Sequence, residues 1–149
     1  MGPPHENLYS SDGVCMTRFY FDTSIWIDIY DKRGAHGEHA MKLMEKIILD
    51  DLFVVYSEVV VAELQGLGFS DFEINEMLSI AKPNHIVRVH ASKHQREEAK
   101  RIAQQRKVPR GDALHAILAR DNNLQLISRD NDFEQLRDIT IAKRPEEFS

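Results

Sequence analysis

Residues 108–133 read VPRGDALHAILARDNNLQLISRDNDF. Pro109-Arg110-Gly111 forms a turn, and Asp112 follows in the first turn of a helix. The apolar residues of that helix, Ala113, Leu114, Ile117 and Leu118, recur at a spacing that gives one buried face. Asp121-Asn122-Asn123 ends the helix, and Leu124–Ile127 reads as a short buried strand. The chain then breaks into Ser128-Arg129-Asp130-Asn131-Asp132-Phe133. One carboxylate therefore sits at a helix start and two sit just past a strand end. Open α/β sheets bind ligands outside the carboxyl ends of their strands. Asp130 and Asp132 are placed there, and Asp112 can be brought to the same edge. Each also has an ordinary reading: Asp112 as an acid that complements the helix dipole, Asp130 and Asp132 as turn formers.

The pattern recurs upstream. Thr17–Phe21 (TRFYF) is rich in strand formers, and Asp22-Thr23-Ser24 closes it, with Thr23 or Ser24 as N-cap of a helix over Ile25–Lys32. Asp22 is thus a second acid at a strand's C-terminal end. Gly34–Gly37 reads as a loop, Glu38–Asp50 as an amphipathic helix and Leu52–Tyr56 as the second strand. Ser57 caps a helix to about Leu67, and Glu63 lies among its apolar residues, where an acid requires a partner, a metal or an exposed face. Ser70-Asp71 caps Phe72–Ile80, Ile86–Val89 is a third strand, and Ser92 caps the charged helix Lys93–Arg106. Ile139–Ala142 reads as a last short strand and Arg144–Ser149 as a polar tail. Strands alternating with helices predict an α/β domain with a mostly parallel sheet and helices on both faces. That domain covers residues 16–149; residues 1–15 are expected to be a flexible or tag-derived extension.

Composition narrows the partners. The chain has 149 residues, 42% hydrophobic and 29% charged, enough for one domain with a real core. It has no run of about 18 apolar residues, so no membrane span is expected. The lone cysteine, Cys15, excludes an internal disulfide and a Cys-rich zinc site, and fits a cytoplasmic protein. The formal net charge is −5, so a nucleic acid would have to be met by a local basic patch or by metal ions. Lys100, Arg101, Arg106, Lys107 and Arg110 form the main basic cluster, and it leads directly into Asp112.

Asp22, Glu63, Asp112 and Asp130 have comparable placement, with Asp132 in reserve. Carboxylates gathered at one sheet edge repel one another, and a hard divalent cation such as Mg2+ or Mn2+ relieves that repulsion. Such a cation suits hydrolysis of a phosphodiester. Rival sites lack their residues. A haloacid-dehalogenase-type phosphatase needs a second Asp where Ser24 stands, and neither a dinucleotide fingerprint nor a P-loop is present. A phosphoacceptor receiver would place paired acids close together near the first strand. The pairs His36/His39 and His90/His94 could bind zinc, but no further ligands accompany them. His115, three residues after Asp112, can share its helix face.

From Thr17 to Ala142 the chain resembles the PIN domain family, and within it the VapC-type toxin ribonucleases. FYFDTSIWID resembles the family's opening, with Asp22 as first acid; SEVVVAEL the segment carrying the second, Glu63; PRGDALHAILA the third, Asp112. LISRDNDF resembles the segment with the fourth, Asp130, and places Ser128 at the family's preceding hydroxyl position, with Asp132 as a further supporting acid. The resemblance implies a three-layer α/β/α Rossmann-like fold and RNA cleavage dependent on Mg2+ or Mn2+. It also implies a homodimer and an inhibitory antitoxin. No acid of the set is missing. The alternatives are a PIN nuclease of RNA processing or quality control without an antitoxin, and a non-catalytic protein-binding PIN module.

Overall fold

The structure is a computed structural model and describes residues 18–31 and 34–148. The expected 1–15 extension, the Thr17 start of the first strand and the Lys32 end of the first helix lie outside the described residues.

Among the described residues four short strands build the sheet: β1 (Arg18–Phe21), β2 (Phe53–Ser57), β3 (Ile86–Val89) and β4 (Gln125–Ile127). Their order is β3-β2-β1-β4 and every pairing is parallel. Central β1 pairs Phe19 with Val54 on one side and Tyr20 with Leu126 on the other. Phe19, Tyr20 and Phe21 are all buried, as are Val54, Val55, Leu126 and Ile127. Such unbroken apolar runs are what a parallel sheet covered on both faces demands. The chain winds outward from β1 through β2 to β3, then returns past β1 to lay down β4. The winding direction therefore reverses between β1 and β4, and ligand crevices of open α/β sheets open at that switch.

Among the described residues six helices cover the sheet: α1 (Thr23–Asp31), α2 (Gly34–Leu49), α3 (Glu58–Gly66), α4 (Asp71–Ser79), α5 (Lys93–Arg106) and α6 (Arg110–Asp121). The expected serine caps hold. Ser57 accepts from the Val59 N–H, and Ser70 and Ser92 each form a reciprocal capping box with Glu73 and Gln95. Trp26, Ile25 and Met44 are completely buried on the helical side of the core.

The structure corrects four local expectations. The N-cap of α1 is Asp22, whose Oδ1 accepts the Ile25 N–H at 3.2 Å, because the Thr23 and Ser24 hydroxyls turn to other acids. Gly34–Gly37 is not a loop but the first turn of α2. Gly34 enters that turn at φ 56, and buried Gly37 extends the inward face of Ala40, Leu43, Met44 and Ile47. Ile139–Ala142 is not a strand. The Ile139 and Thr140 N–H groups both go back to the Leu136 carbonyl, at 2.9 and 3.1 Å, closing the 3-10 turn Asn131–Leu136, and only an isolated bridge joins Ile127 to Lys143. Nor is the tail merely polar. Pro145–Phe148 forms a 3-10 turn, and the Phe148 ring packs edge-on against Phe19 with centroids 5.3 Å apart.

Candidate active site

At the switch between β1 and β4 lies a cavity of about 370 Å3, and Asp22, Glu63, Asp112 and Asp130 all line it. Each acid arrives from a different element. Asp22 ends β1, and its backbone N–H still donates to the Ile127 carbonyl of β4 at 3.1 Å. Its side chain is buried and fully engaged. Oδ1 accepts from the Ser24 hydroxyl at 2.8 Å and from the Ile25 N–H, while Oδ2 accepts from the Ser128 hydroxyl. Burial pushes the Asp22 carboxyl above the usual carboxylate range, although these hydrogen bonds and His115 oppose the rise. Ser128 is buried too. Its Oγ donates to Asp22 and accepts the Asp130 N–H at 3.0 Å, so one hydroxyl ties the end of β1 to the loop after β4.

Asp112 stands in the first turn of α6, whose N-terminus has no side-chain cap. Its Oδ2 is buried and has no hydrogen-bond partner. Burial first, and then the neighbouring charges of Asp130, Asp22 and Asp132, push its carboxyl up to about 8. One oxygen each from Asp112, Asp130 and Asp132 lie within 4.8 Å of one another. Asp130 also accepts the Asp132 N–H at 2.9 Å, capping the 3-10 turn that carries both. Among the described residues this is the one group of three or more His, Cys, Asp or Glu so closely set, and neither histidine pair enters it.

Glu63 reaches the cavity from α3 under a different regime. Its Oε1 accepts from the Thr23 hydroxyl at 2.5 Å and pairs with His115 Nε2 at 2.8 Å. Burial alone would raise this carboxyl, but the hydrogen bonds from His115 and Thr23 oppose it, and the carboxyl lies below the usual range. Behind it, His115 Nδ1 meets the Tyr20 hydroxyl at 2.7 Å, which meets the Ser57 hydroxyl at 2.7 Å. Oε2 lies over Gly111, where a Cβ would stand 2.1 Å from it. A glycine therefore lets α6 bring Asp112 alongside the acid of α3.

The sequence reading missed Thr23, Gly111, Tyr20 and Ser57, and treated His115 only as sharing a face with Asp112. The available signal was polar side chains inside apolar runs: a tyrosine in RFYF and a histidine in DALHAIL. The basic cluster is divided. Arg106 is committed to Asp138, at 2.6 and 2.9 Å, and to the Gln135 carbonyl. Lys107 forms the left-handed C-cap of α5. Lys100, Arg101 and Arg110 are exposed. None of the five lines the cavity. A second cleft, of about 500 Å3, shares Asp130 with it and carries Arg137, Lys143 and Arg144.

A family model of the PIN domain matches residues 19–139. No curated protein sequence matches the chain. Among solved structures, the fold is similar to a chain of VapBC2 from Rickettsia felis bound to a DNA fragment from their promoter, with TM-score 0.60 and 19% identity over 85% of this chain and 98% of that one. It is similar to a chain of a toxin–antitoxin complex from Klebsiella pneumoniae, with TM-score 0.60 and 21% identity over 85% of this chain and 97% of that one. A chain of FitAcB from Neisseria gonorrhoeae superposes with TM-score 0.54 at 18% identity, over 85% of this chain and 97% of that one.

Proposed function

The chain belongs to the PIN domain family, and on that premise we propose that it is a metal-dependent endoribonuclease that hydrolyses RNA phosphodiester bonds. One observation carries the reading: the buried, unpartnered Oδ2 of Asp112 beside the converging oxygens of Asp130 and Asp132. Three carboxylates this close, one of them partly desolvated, are poorly matched to each other and well matched to a hard cation with oxygen preference, Mg2+ or Mn2+. Asp112, Asp130 and Asp132 would hold it, with Glu63 as a further ligand and Asp22 completing the acidic lining. When bound, such a cation neutralises the acids and polarises a phosphodiester for attack by water. The chain's own residues prepare that setting. Ser128 and Ser24 fix the Asp22 carboxylate, Thr23 and His115 keep Glu63 charged, and Ile27 and Leu67 supply apolar wall.

The exposed Lys100, Arg101, Lys107 and Arg110 are assigned to the phosphate backbone, since a net-negative protein requires local positive charge to approach RNA, while Arg106 is taken up by Asp138. The similar fold from K. pneumoniae occurs in a toxin–antitoxin complex, and that from R. felis in VapBC2 bound to promoter DNA. That supports an antitoxin partner and a toxin role for this chain; a homodimer and a cytoplasmic location belong to the same proposal. No helix among the described residues is long and apolar enough to cross a membrane. The test is cleavage of a panel of single-stranded and hairpin RNAs with Mg2+ or Mn2+, with EDTA, and with Asp112→Asn. Cleavage that survives EDTA or the substitution would end the metal reading. No cleavage of any RNA by metal-loaded protein would favour a protein-binding module, and cleavage by a protein with no antitoxin partner would favour RNA processing.

A further inference from the structure

The polar chain behind Glu63 runs through the interior of the molecule and belongs to no helix or strand ladder. It begins at the N-cap of α3, where the Val59 N–H donates to Ser57 Oγ at 3.2 Å. It crosses to Tyr20 on β1, passes to His115 on α6, and returns to α3 at Glu63. Ser57 and Tyr20 are 0% exposed and His115 is 1% exposed. Three elements are thus closed into a ring by four hydrogen bonds.

With His115 as a neutral imidazole, proton counting gives this ring one direction. The Glu63 carboxylate can only accept, so His115 Nε2 carries a hydrogen and donates. In the neutral imidazole, Nδ1 is then an acceptor, and the Tyr20 O–H donates to it. The Tyr20 oxygen takes the Ser57 hydroxyl hydrogen, and Ser57 takes the Val59 N–H. Every bond has one donor and one acceptor, and the aligned dipoles strengthen one another in the dry interior. We infer that His115 is a positioning residue for Glu63, held in its Nε2–H tautomer by Tyr20 and Ser57, and that it fixes the Glu63 carboxylate at the cavity. The Thr23 hydroxyl holds the same oxygen from α1, and Gly111 leaves room for the other. Glu63 is so pinned at one oxygen while the second remains at the cavity wall. The purpose given to Glu63 rests on the nuclease reading; the tautomer and the ring do not.

The experiment has two arms. In metal-free protein at neutral pH, nitrogen NMR of the His115 ring is expected to show a hydrogen on Nε2 and none on Nδ1. Tyr20→Phe removes the hydrogen bond to Nδ1 and is expected to move the Nδ1 resonance while Nε2 keeps its hydrogen to Glu63. A hydrogen on Nδ1 in the wild type, or an Nδ1 resonance unchanged in Tyr20→Phe, overturns the inference. In the second arm Mn2+ binding is measured by calorimetry without RNA. Loss of a partner that orients a ligand costs about 10–100-fold in metal affinity, so His115→Leu is expected to weaken Mn2+ in that range. Tyr20→Phe should weaken it less. His115→Gln, whose amide can place an N–H near the Nε2 position, should recover part of the loss, which a merely structural packing role would not. A folded His115→Leu that binds Mn2+ as the wild type does overturns the inference; if that variant does not fold, Tyr20→Phe and His115→Gln decide. Failure of the wild type to bind Mn2+ would sink the nuclease reading, and the NMR arm would still decide the ring.

Discussion

Two regions of this molecule are dense in charge and treat it in opposite ways. On the outer face, carboxylates meet cations. Glu98 accepts both guanidinium nitrogens of Arg120, Asp121 takes Arg120 and Gln95, Glu58 takes Arg96, and Asp138 takes Arg106. The Arg120 bond holds Glu98 below the usual range, and Arg106 does the same for Asp138. In the cavity, acids meet acids. Asp22 is raised by burial, and Asp112 by burial and then by Asp130. The sign of the shift separates a charge that has found its counterion inside the chain from one that has not. Burial favours the first arrangement only when partners are supplied, and it penalises the second outright. Charge density alone is therefore a poor guide to function here. The helix with the most charge, α5, is mostly a solvated and paired surface, while the apolar-cored α6 carries the acid whose Oδ2 lacks a partner.

The largest expected difference between the regions is in catalysis. Asp112→Asn or Asp130→Asn should remove RNA cleavage by more than the roughly 10–100-fold that loss of an outer partner costs at a metal site. Glu98→Gln should leave it within about twofold, since surface ion pairs contribute only about 0–1 kcal/mol. Equal losses in both regions, measured as single-turnover rates, would erase the distinction.

Next comes stability against pH and metal. In EDTA, the folded Asp112 carboxyl is raised to about 8 from an ordinary value of 3.8, so the folded protein holds that proton longer than the unfolded chain does. By linkage, the stability that goes with the proton is fully present below about pH 4 and is lost as pH rises towards about 8. Asp112→Asn has no such proton to lose. Its melting temperature relative to wild type should therefore climb across that window. Mg2+ should reverse the order: at about 100 times Kd it adds about 2.7 kcal/mol, or roughly 5–10 °C at this chain length, to wild type and less to the variant. The paired acids run the other way. The lowered Glu98, Asp121 and Asp138 lose their contribution as pH falls below the ordinary carboxylate range. A flat difference between wild type and Asp112→Asn from pH 4 to 8 would show that the cavity acids do not crowd one another.

A smaller loss is expected from Gly111→Ala. The new Cβ would meet Glu63 Oε2 at 2.1 Å, so the carboxylate must swing away from Thr23 and His115 or α6 must shift. Helix propensity favours alanine by about 1 kcal/mol, which offsets part of the strain. Metal-dependent cleavage should fall about tenfold, as for a disturbed outer partner, with the fold kept. Unchanged cleavage would show that Glu63 can relocate at no cost.

The two regions were not equally legible in sequence. The strand ends gave Asp22 and Asp130 directly, because an acid after a buried apolar run has few places to go in a parallel sheet. The α5 boundaries and the Ser57, Ser70 and Ser92 caps were legible because capping is local. Ile139–Ala142 carried a strand-like pattern, but the Leu136 carbonyl captured its first amides. Asp132 stood in reserve, yet it joins Asp112 and Asp130 at closest range because Asp130 caps a 3-10 turn that no apolar periodicity announces. The ring through Tyr20, His115 and Ser57 was invisible for a stronger reason. Its members lie 37 and 95 residues apart, and only the sheet order brings them together.

The smallest effect expected concerns the cations themselves. If pairing marks a charge as structural, the basic cluster before Asp112 should divide. Arg106 donates to Asp138 and Gln135, so Arg106→Ala should cost stability by up to about 1 kcal/mol and leave the salt dependence of RNA binding nearly unchanged. Lys100, Arg101 and Arg110 are exposed. Neutralising any one that touches a phosphate should lower the slope of log affinity against log salt by about 0.7, the value for a single strand. Lys107 needs its own control, because its backbone sits at φ 56. Lys107→Gly keeps that conformation without strain while removing the side chain and its charge. Binding is best measured with Asp112→Asn protein in Mg2+, so that RNA survives the titration. A large change in slope from Arg106→Ala, with none from the other three, would reverse the assignment and move the RNA path toward the Asp138 side of α5.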